Sequence, residues 1–358
     1  MIKKISQNNF DFLRFLFASL VVFSHSYPLG TGNEDGEPLA RFTRGQLTFG
    51  SLAVDCFFII SGYLIAHSWM TQPDWRRFLE KRVRRIYPGF IVAVAIGAFV
   101  VVPIFSTIEP VSSTLSFMPE FFGKTLRLLQ ATPGQAFQGN PAPGTVNGSL
   151  WSISYEFWCY IGIIIFGKLG IFRWPSLLAS GVVASIFISF AFVWFRFNPS
   201  GSWLGVILGY PPFWARLLPY FGVGMAFYAL RERIPLTTKG AAFSIIIFVL
   251  ASLIPYSLIF VLPVAAAYMI FWFAFVPLVP LHRFSRYGDF SYGIYLYSFP
   301  VLQIVVYLYD GQMNPLLLFA IGWPLSVAAG AMSWHLVERH WLRSGSPTER
   351  SRFIRASR

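Results

Sequence analysis

Apolar residues run along this chain in stretches long enough to cross a bilayer, about 20 residues each, separated by shorter polar connections. Ten such stretches are read, at 12–29, 49–70, 86–107, 149–167, 175–195, 213–230, 241–256, 258–280, 290–308 and 315–337. The break at Pro255 and Tyr256 leaves two readings open, one interrupted helix or two short ones. The expected fold class is all-α, a polytopic transmembrane helical bundle of about ten helices. An even number of spans puts both ends of the chain on one side.

Composition narrows this. The 358 residues are 55% hydrophobic and only 12% charged, with a mean hydropathy of +0.58, which excludes a soluble or disordered protein. The 19% aromatic content suits a chain with many membrane interfaces, where amphipathic rings settle. The net charge of +13 raises nucleic acid as a partner until the charges are placed. With the N-terminus inside, 21 of the 28 Lys and Arg residues fall in inner segments and 5 in outer ones, and Arg14 and Arg216 lie within or at the edge of spans. That asymmetry is the positive-inside pattern, so membrane lipids are the expected partner and nucleic acid is not. Cys56 and Cys159 both sit in apolar stretches and read as small buried hydrophobes, with no disulfide or thiolate metal site. Tyr27-Pro28-Leu29 stands where a small-residue cleavage site would be expected, so the first helix is expected to be uncleaved. No repeat or appended soluble domain is visible, and the chain divides into a membrane domain over 1–340 and a basic tail over 341–358. The longest polar connections are 30–48, with Glu34, Asp35 and Glu37, and 108–148. They read either as solvated connections or as docking surfaces for a hydroxylated partner.

Polar groups at membrane depth are costly and direct attention to function. In the first span Arg14 and His25 are eleven residues apart, about 16 Å along a helix and about 20° from alignment, so they share a face at opposite depths. A snorkelling anchor with an interhelical hydrogen bond is one reading of the pair, and functional groups are the other. In the fourth span Ser149, Ser152, Glu156 and Tyr160 form a polar stripe. Glu156, His25 and Asp55 share a similar depth, which makes an acid/base constellation or a buried structural pair. Gly62, between Ser61 and Tyr63, reads as a close helix approach. Arg82 and Arg85 are neighbours on one helical turn and can form a fork for phosphates, or serve as inner anchors.

The motifs Asp11-Phe-Leu-Arg14 with His25, Phe57-Phe58-Ile-Ile-Ser61-Gly62-Tyr63, Arg82-Val-Arg84-Arg85 with Pro88, and Trp151-Ser152-Ile-Ser-Tyr155-Glu156 occur in order. Together they resemble the membrane acyltransferase-3 family, which includes O-antigen and exopolysaccharide O-acetyltransferases. Two positions depart from the pattern: Ser298 stands where many relatives carry histidine, and His340 where many carry proline. The first shifts expected proton transfer further onto His25.

The resemblance implies an O-acyltransferase of the bacterial inner membrane with both termini cytoplasmic. Acetyl-CoA or another acyl-CoA would be the co-substrate, with no metal, and a glycan or lipid-linked saccharide the acceptor. It implies catalysis by His25 with Glu156, donor contacts from Arg14, Arg82 and Arg85, and support from Asp55, Ser61, Gly62, Tyr63, Trp151, Ser152 and Tyr155. His25 is general base in one version and acyl-carrying nucleophile in another. Acceptor identity, acyl length and oligomeric state are not readable. The rival class is a transporter or flippase of a polysaccharide precursor, for which ten helices with midplane charges also suit, and a third is a structural partner in polysaccharide export. The topology is checked by reporter fusions after Arg76 and after Gln130, which are expected on opposite sides of the membrane. Signals from the same side would discard this arrangement.

Overall fold

The computed structural model describes residues 8–106, 117–129, 131, 136–199, 208–276 and 280–343. Among the described residues the regular structure is helical, with no strand. Lys3, Lys4 and the tail from 344 onward lie outside the described residues. The principal helices are α1 (Phe10–Thr31), α2 (Phe49–Thr71), α3 (Trp75–Ile96), α4 (Trp151–Lys168), α5 (Pro175–Trp194), α6 (Pro211–Ala229), α7 (Thr238–Ser252), α8 (Leu258–Phe275), α9 (Ser291–Leu308) and α10 (Pro315–Ser333). Through π-helical turns at Gly97–Val101 and Trp334–Glu338, α3 and α10 continue to Phe105 and Leu342.

Each predicted stretch falls on one of these helices. Seven of them (α1, α2, α3, α5, α8, α9 and α10) are long and apolar enough to cross a membrane by length and composition. The expectation of about ten spans rests on α4, α6 and α7, which do not meet that combination. In α4 the polar half from Trp151 to Tyr160 lowers the hydropathy, and α7 is short. The break at Pro255 and Tyr256 is a turn between two helices, with Tyr256 at φ 64°.

Two compact units emerge within the chain. The first takes Met1–Phe17, Glu37–Phe78 and Ser154–His282. Glu37 is fully buried and accepts from Ala40 N at 2.6 Å and Phe49 N at 2.7 Å. One carboxylate thus caps the short helix Pro38–Phe42 and anchors the start of α2, where Thr48 caps Ser51 N at 3.0 Å. This corrects the reading of Glu37 as part of a solvated or docking loop. A Cβ on Gly62 would run into the carbonyl oxygen of Phe221, and one on Gly224 into that of Ile59. The backbones of α2 and α6 therefore touch, the approach that small residues permit between membrane helices. Around the crossing, Tyr63 packs against Phe271 with ring centroids 4.7 Å apart and against Phe10 at 6.0 Å.

The second unit takes Ala18–Gly36, Leu79–Ile153 and Arg283–Arg358. Here α9 and α10 meet at Gly293 and Gly330, where a Cβ on Gly293 would sit 2.8 Å from the Cα of Gly330. In the described part of the connection, 136–147, buried positions at Ala136, Phe137, Asn140, Val146 and Asn147 alternate with exposed ones at Gln138, Gly139, Pro143 and Thr145. Ala136, Phe137 and Val146 join Val101 and Val102 in one core cluster. Gln303, fully buried on α9, donates to the carbonyls of Ala142 at 2.8 Å and Thr145 at 2.9 Å and accepts from Asn140 at 2.7 Å. The connection expected to be solvated is so only in part, since its buried positions are tied down by Gln303 and by Asn147, which donates to Leu296 O at 2.8 Å.

The α2/α6 crossing sets a stability prediction. Gly62→Leu or Gly224→Leu should each destabilise by about 1–3 kcal/mol, the usual cost of overpacking. The measurement is the melting temperature in detergent, and an unchanged value would refute backbone contact at this crossing.

Candidate active site

The predicted residues fall into three groups. The first lies in the first unit. On α4, Glu156 Oε1 accepts from the Ser61 hydroxyl of α2 and from the Tyr160 hydroxyl one turn on, the latter at 2.6 Å. A carboxylate oxygen with two hydroxyl donors is held in place and kept ready to accept. Tyr155 faces another way and its hydroxyl accepts from Tyr210 N at 2.6 Å. Asp55, 2% exposed in its side chain, pairs with Arg216 of α6 at 3.0 Å, and Arg216 also donates to Ser51 O at 3.0 Å. This pair stitches α2 to α6 and occupies the Asp55 carboxylate. Arg14 lies 3.8 Å from Asp11 one turn earlier on α1.

The second group lies in the second unit around His25. Its ring meets Phe299 of α9 edge-on, centroids 5.2 Å apart at 78°. Its Nδ1 is buried and has no hydrogen-bond partner among the described residues. The start of α4 is fastened to α9. Asn147 donates to Leu296 O at 2.8 Å, and Tyr295 donates to Ser149 O at 2.5 Å while its hydroxyl sits 2.7 Å from Ser152 Oγ. Trp151, the first residue of α4, follows directly. The polar stripe 149–160 thus divides its work, with Ser149 and Ser152 on α9 and Glu156 with Tyr160 and Ser61.

The third group is the basic turn of α3. Arg85 Nη2 pairs with Asp289 Oδ2 at 2.6 Å. Asp289 also accepts from Ser291 N at 3.2 Å at the start of α9. The Arg85 guanidinium lies 5.8 Å from the Tyr292 ring, and the Tyr292 hydroxyl donates to Ile86 O at 2.8 Å. Arg84 pairs with Glu80 at 2.6 Å, and Arg82, half-buried, sits one turn before Arg85. Arg85 is therefore committed to fixing α3 against α9, which the fork reading did not foresee. Sequence reasoning missed Asp289, Tyr295, Asn147 and Gln303. The only signal for Asp289 was a lone carboxylate just ahead of an apolar helix. Among the described residues no group of three or more His, Cys, Asp or Glu side chains is placed to hold a metal ion.

Because the Arg85–Asp289 pair is only partly exposed, Asp289→Asn should cost about 1.5–3 kcal/mol, the worth of a hydrogen bond to a charged group. Thermal unfolding in detergent measures it, and an unchanged midpoint would show the pair to be a surface contact of no weight.

Comparison with known proteins bears on this arrangement. An acyltransferase domain profile matches residues 7–335. An O-acetyl transferase of Shigella phage Sf6 is 28% identical over 351 residues, 95% of this chain and 97% of the relative. Nodulation protein 10 of Rhizobium leguminosarum bv. viciae is 25% identical over 362 residues, 93% of this chain and 92% of the relative. No solved structure matches the chain. A match spanning the helices that carry Arg14, His25, Ser61, Arg82 and Glu156 alike leaves one assignment, and the chain belongs to the membrane acyltransferase-3 family.

Proposed function

We propose that this chain is an integral-membrane O-acyltransferase that moves an acetyl group from cytoplasmic acetyl-CoA to a hydroxyl of a glycan bound for the cell surface, in the inner membrane of a bacterium with both termini cytoplasmic. The observation that carries the reading is His25, an imidazole on a spanning helix with a buried ring nitrogen and no hydrogen-bond partner among the described residues. A structural histidine at this depth would be hydrogen-bonded through both nitrogens; a general base needs one lone pair available. The name of the phage relative supports acetyl as the group transferred.

In this reading the acceptor hydroxyl attacks the thioester carbonyl carbon. His25 takes the hydroxyl proton and returns it to the departing thiolate as the C–S bond breaks. Arg82 contacts the donor phosphates, with Arg14 as a further cationic contact, while Arg85 positions α3 through Asp289. Glu156, fixed by Ser61 and Tyr160, is a supporting carboxylate whose charge matters less than the imidazole.

The test is transfer of label from radioactive acetyl-CoA to the glycan fraction of membranes from expressing cells, with expression held equal. His25→Ala should lose about 10²–10⁴-fold in rate, the usual contribution of a positioned acid/base group, and should still bind acetyl-CoA. Glu156→Gln keeps a hydrogen-bonding oxygen and should lose less. Arg82→Ala should raise the acetyl-CoA requirement while leaving folding intact, and lysine should rescue only in part because it lacks the planar fork. Transfer should also fall as the medium is acidified, since a protonated imidazole cannot accept the proton. Near-normal transfer by His25→Ala would sink the mechanism, and movement of glycan without acetylation would favour a transporter.

A further inference from the structure

Two other polar side chains in the same unit as His25 are buried without a partner among the described residues. Ser149 is 1% exposed and Ser298 is 0% exposed, and the hydroxyl of each has no hydrogen-bond partner among the described residues. The segments that carry all three groups meet at Phe299. Its ring meets His25 edge-on, and a Cβ on Gly148, the residue before Ser149, would lie 2.6 Å from that ring. Ser298 directly precedes Phe299 on α9, one turn after Tyr295, whose hydroxyl holds the Ser149 carbonyl. The backbone and side chains around these hydroxyls are paired, through Asn147, Ser152 and Tyr295, so the two hydroxyls stand out against a satisfied surrounding.

A buried hydroxyl with no partner is costly, and alanine in its place would relieve the cost without leaving a large void. Nothing in the packing calls for oxygen at either position. Two hydroxyl donors beside a nitrogen acceptor complement a carbonyl oxygen, which has two lone pairs, next to a hydroxyl that must lose its proton.

We infer that Ser149 and Ser298 hydrogen-bond the acyl carbonyl oxygen while His25 receives the acceptor's proton, which makes them catalytic residues of the transfer. The inference rests on the proposed acyltransfer. When the acceptor oxygen bonds to the carbonyl carbon, the carbonyl π pair moves onto its oxygen, and the two hydroxyls donate to the resulting anion. The acceptor's proton passes to Nδ1 of His25, in the tautomer with hydrogen on Nε2. The anion then re-forms the carbonyl, the C–S bond breaks, and the proton passes to the CoA sulfur. Donors fixed in a water-poor site need no reorganisation as charge develops, which is where such groups contribute most.

The experiment uses detergent-purified protein, acetyl-CoA as donor and water as acceptor, because hydrolysis passes through the same tetrahedral anion. Thiol release gives kcat, isothermal titration gives acetyl-CoA affinity, and thermal unfolding gives stability. Ser149→Ala and Ser298→Ala should each lower kcat by about 10²-fold or more, the typical loss of one oxyanion donor. Affinity should be unchanged, and the melting temperature should be unchanged or raised. Ser298→Cys, with a weaker donor of similar shape, should fall between. An active wild type with equally active alanine variants overturns this inference alone. So does a fall in melting temperature that accounts for the lost rate, since it would make the hydroxyls structural. A wild type that binds acetyl-CoA but releases no thiol overturns the proposed function and this inference with it.

Discussion

A polar group at membrane depth has no water to turn to, so its partner must come from within the protein or it stands exposed to a cost of several kcal/mol. Most of the side chains that shape this molecule obey that constraint. Gln303 spends its amide on the carbonyls of an irregular connection. Asn147 covers the carbonyl of Leu296, and Tyr295 covers that of Ser149. The charged residues obey it in pairs, Asp55 with Arg216 and Arg85 with Asp289. The apolar side chains take what is left, and on α5 Leu177, Val183, Phe187 and Ile188 are more than half exposed, as suits a helix face turned to lipid.

The ion pairs also remove residues from the chemistry. Asp55 stands at a depth similar to His25 in the sequence reading and competes with it for the role of base. Engaged by Arg216 and 2% exposed, it could accept a proton only by giving up a buried pair, whose disruption typically costs about 3–5 kcal/mol. Arg85 is tied in the same way, so a phosphate would have to displace Asp289 to reach the guanidinium. Pairing thus marks Asp55 and Arg85 as residues that fix helices, a distinction that charge alone does not make.

Features set by local pattern were legible in the sequence, and those set by long-range pairing were not. The apolar stretches gave the helices, and the turn at Tyr256 matched one of the two readings of its break. Gly62 could be read as a close approach because glycine inside a spanning helix has few other uses. Its counterpart Gly224 could not, since nothing near it says which helix it meets. Glu37 looked like one acid among three in a polar loop. Its burial depends on the amides of Ala40 and Phe49, which only the folded chain brings to it. The ties of the segment 136–147 were hidden by its Pro, Gly and Asn content, which is the composition of a surface loop, while one tether, Gln303, lies far along the chain in a helix that hydropathy reads as plain membrane. Among the proposed site residues, His25 and Glu156 stood out because each is an ionisable group within an apolar run. Ser149 and Ser298 did not, because serine in a membrane helix is ordinary until its hydroxyl is found without a partner.

The partnerless atoms acquire meaning from that contrast. An interhelical hydrogen bond in a membrane returns on average about 0.6 kcal/mol, whereas a buried unsatisfied polar group costs about 1–3 kcal/mol. A helix assembly selected only for stability would use Ala or Leu at positions such as 149 and 298, and an aromatic or aliphatic side chain at 25. Retaining three partnerless polar atoms at these positions works against folding at each of them. Such conflicts with the local rule concentrate where a protein must serve a ligand as well as its own fold. Other buried polar atoms, among them the Tyr63 hydroxyl and Trp272 Nε1, also lack a partner among the described residues, and the three on α1, α9 and the lead-in to α4 are set apart by the imidazole among them.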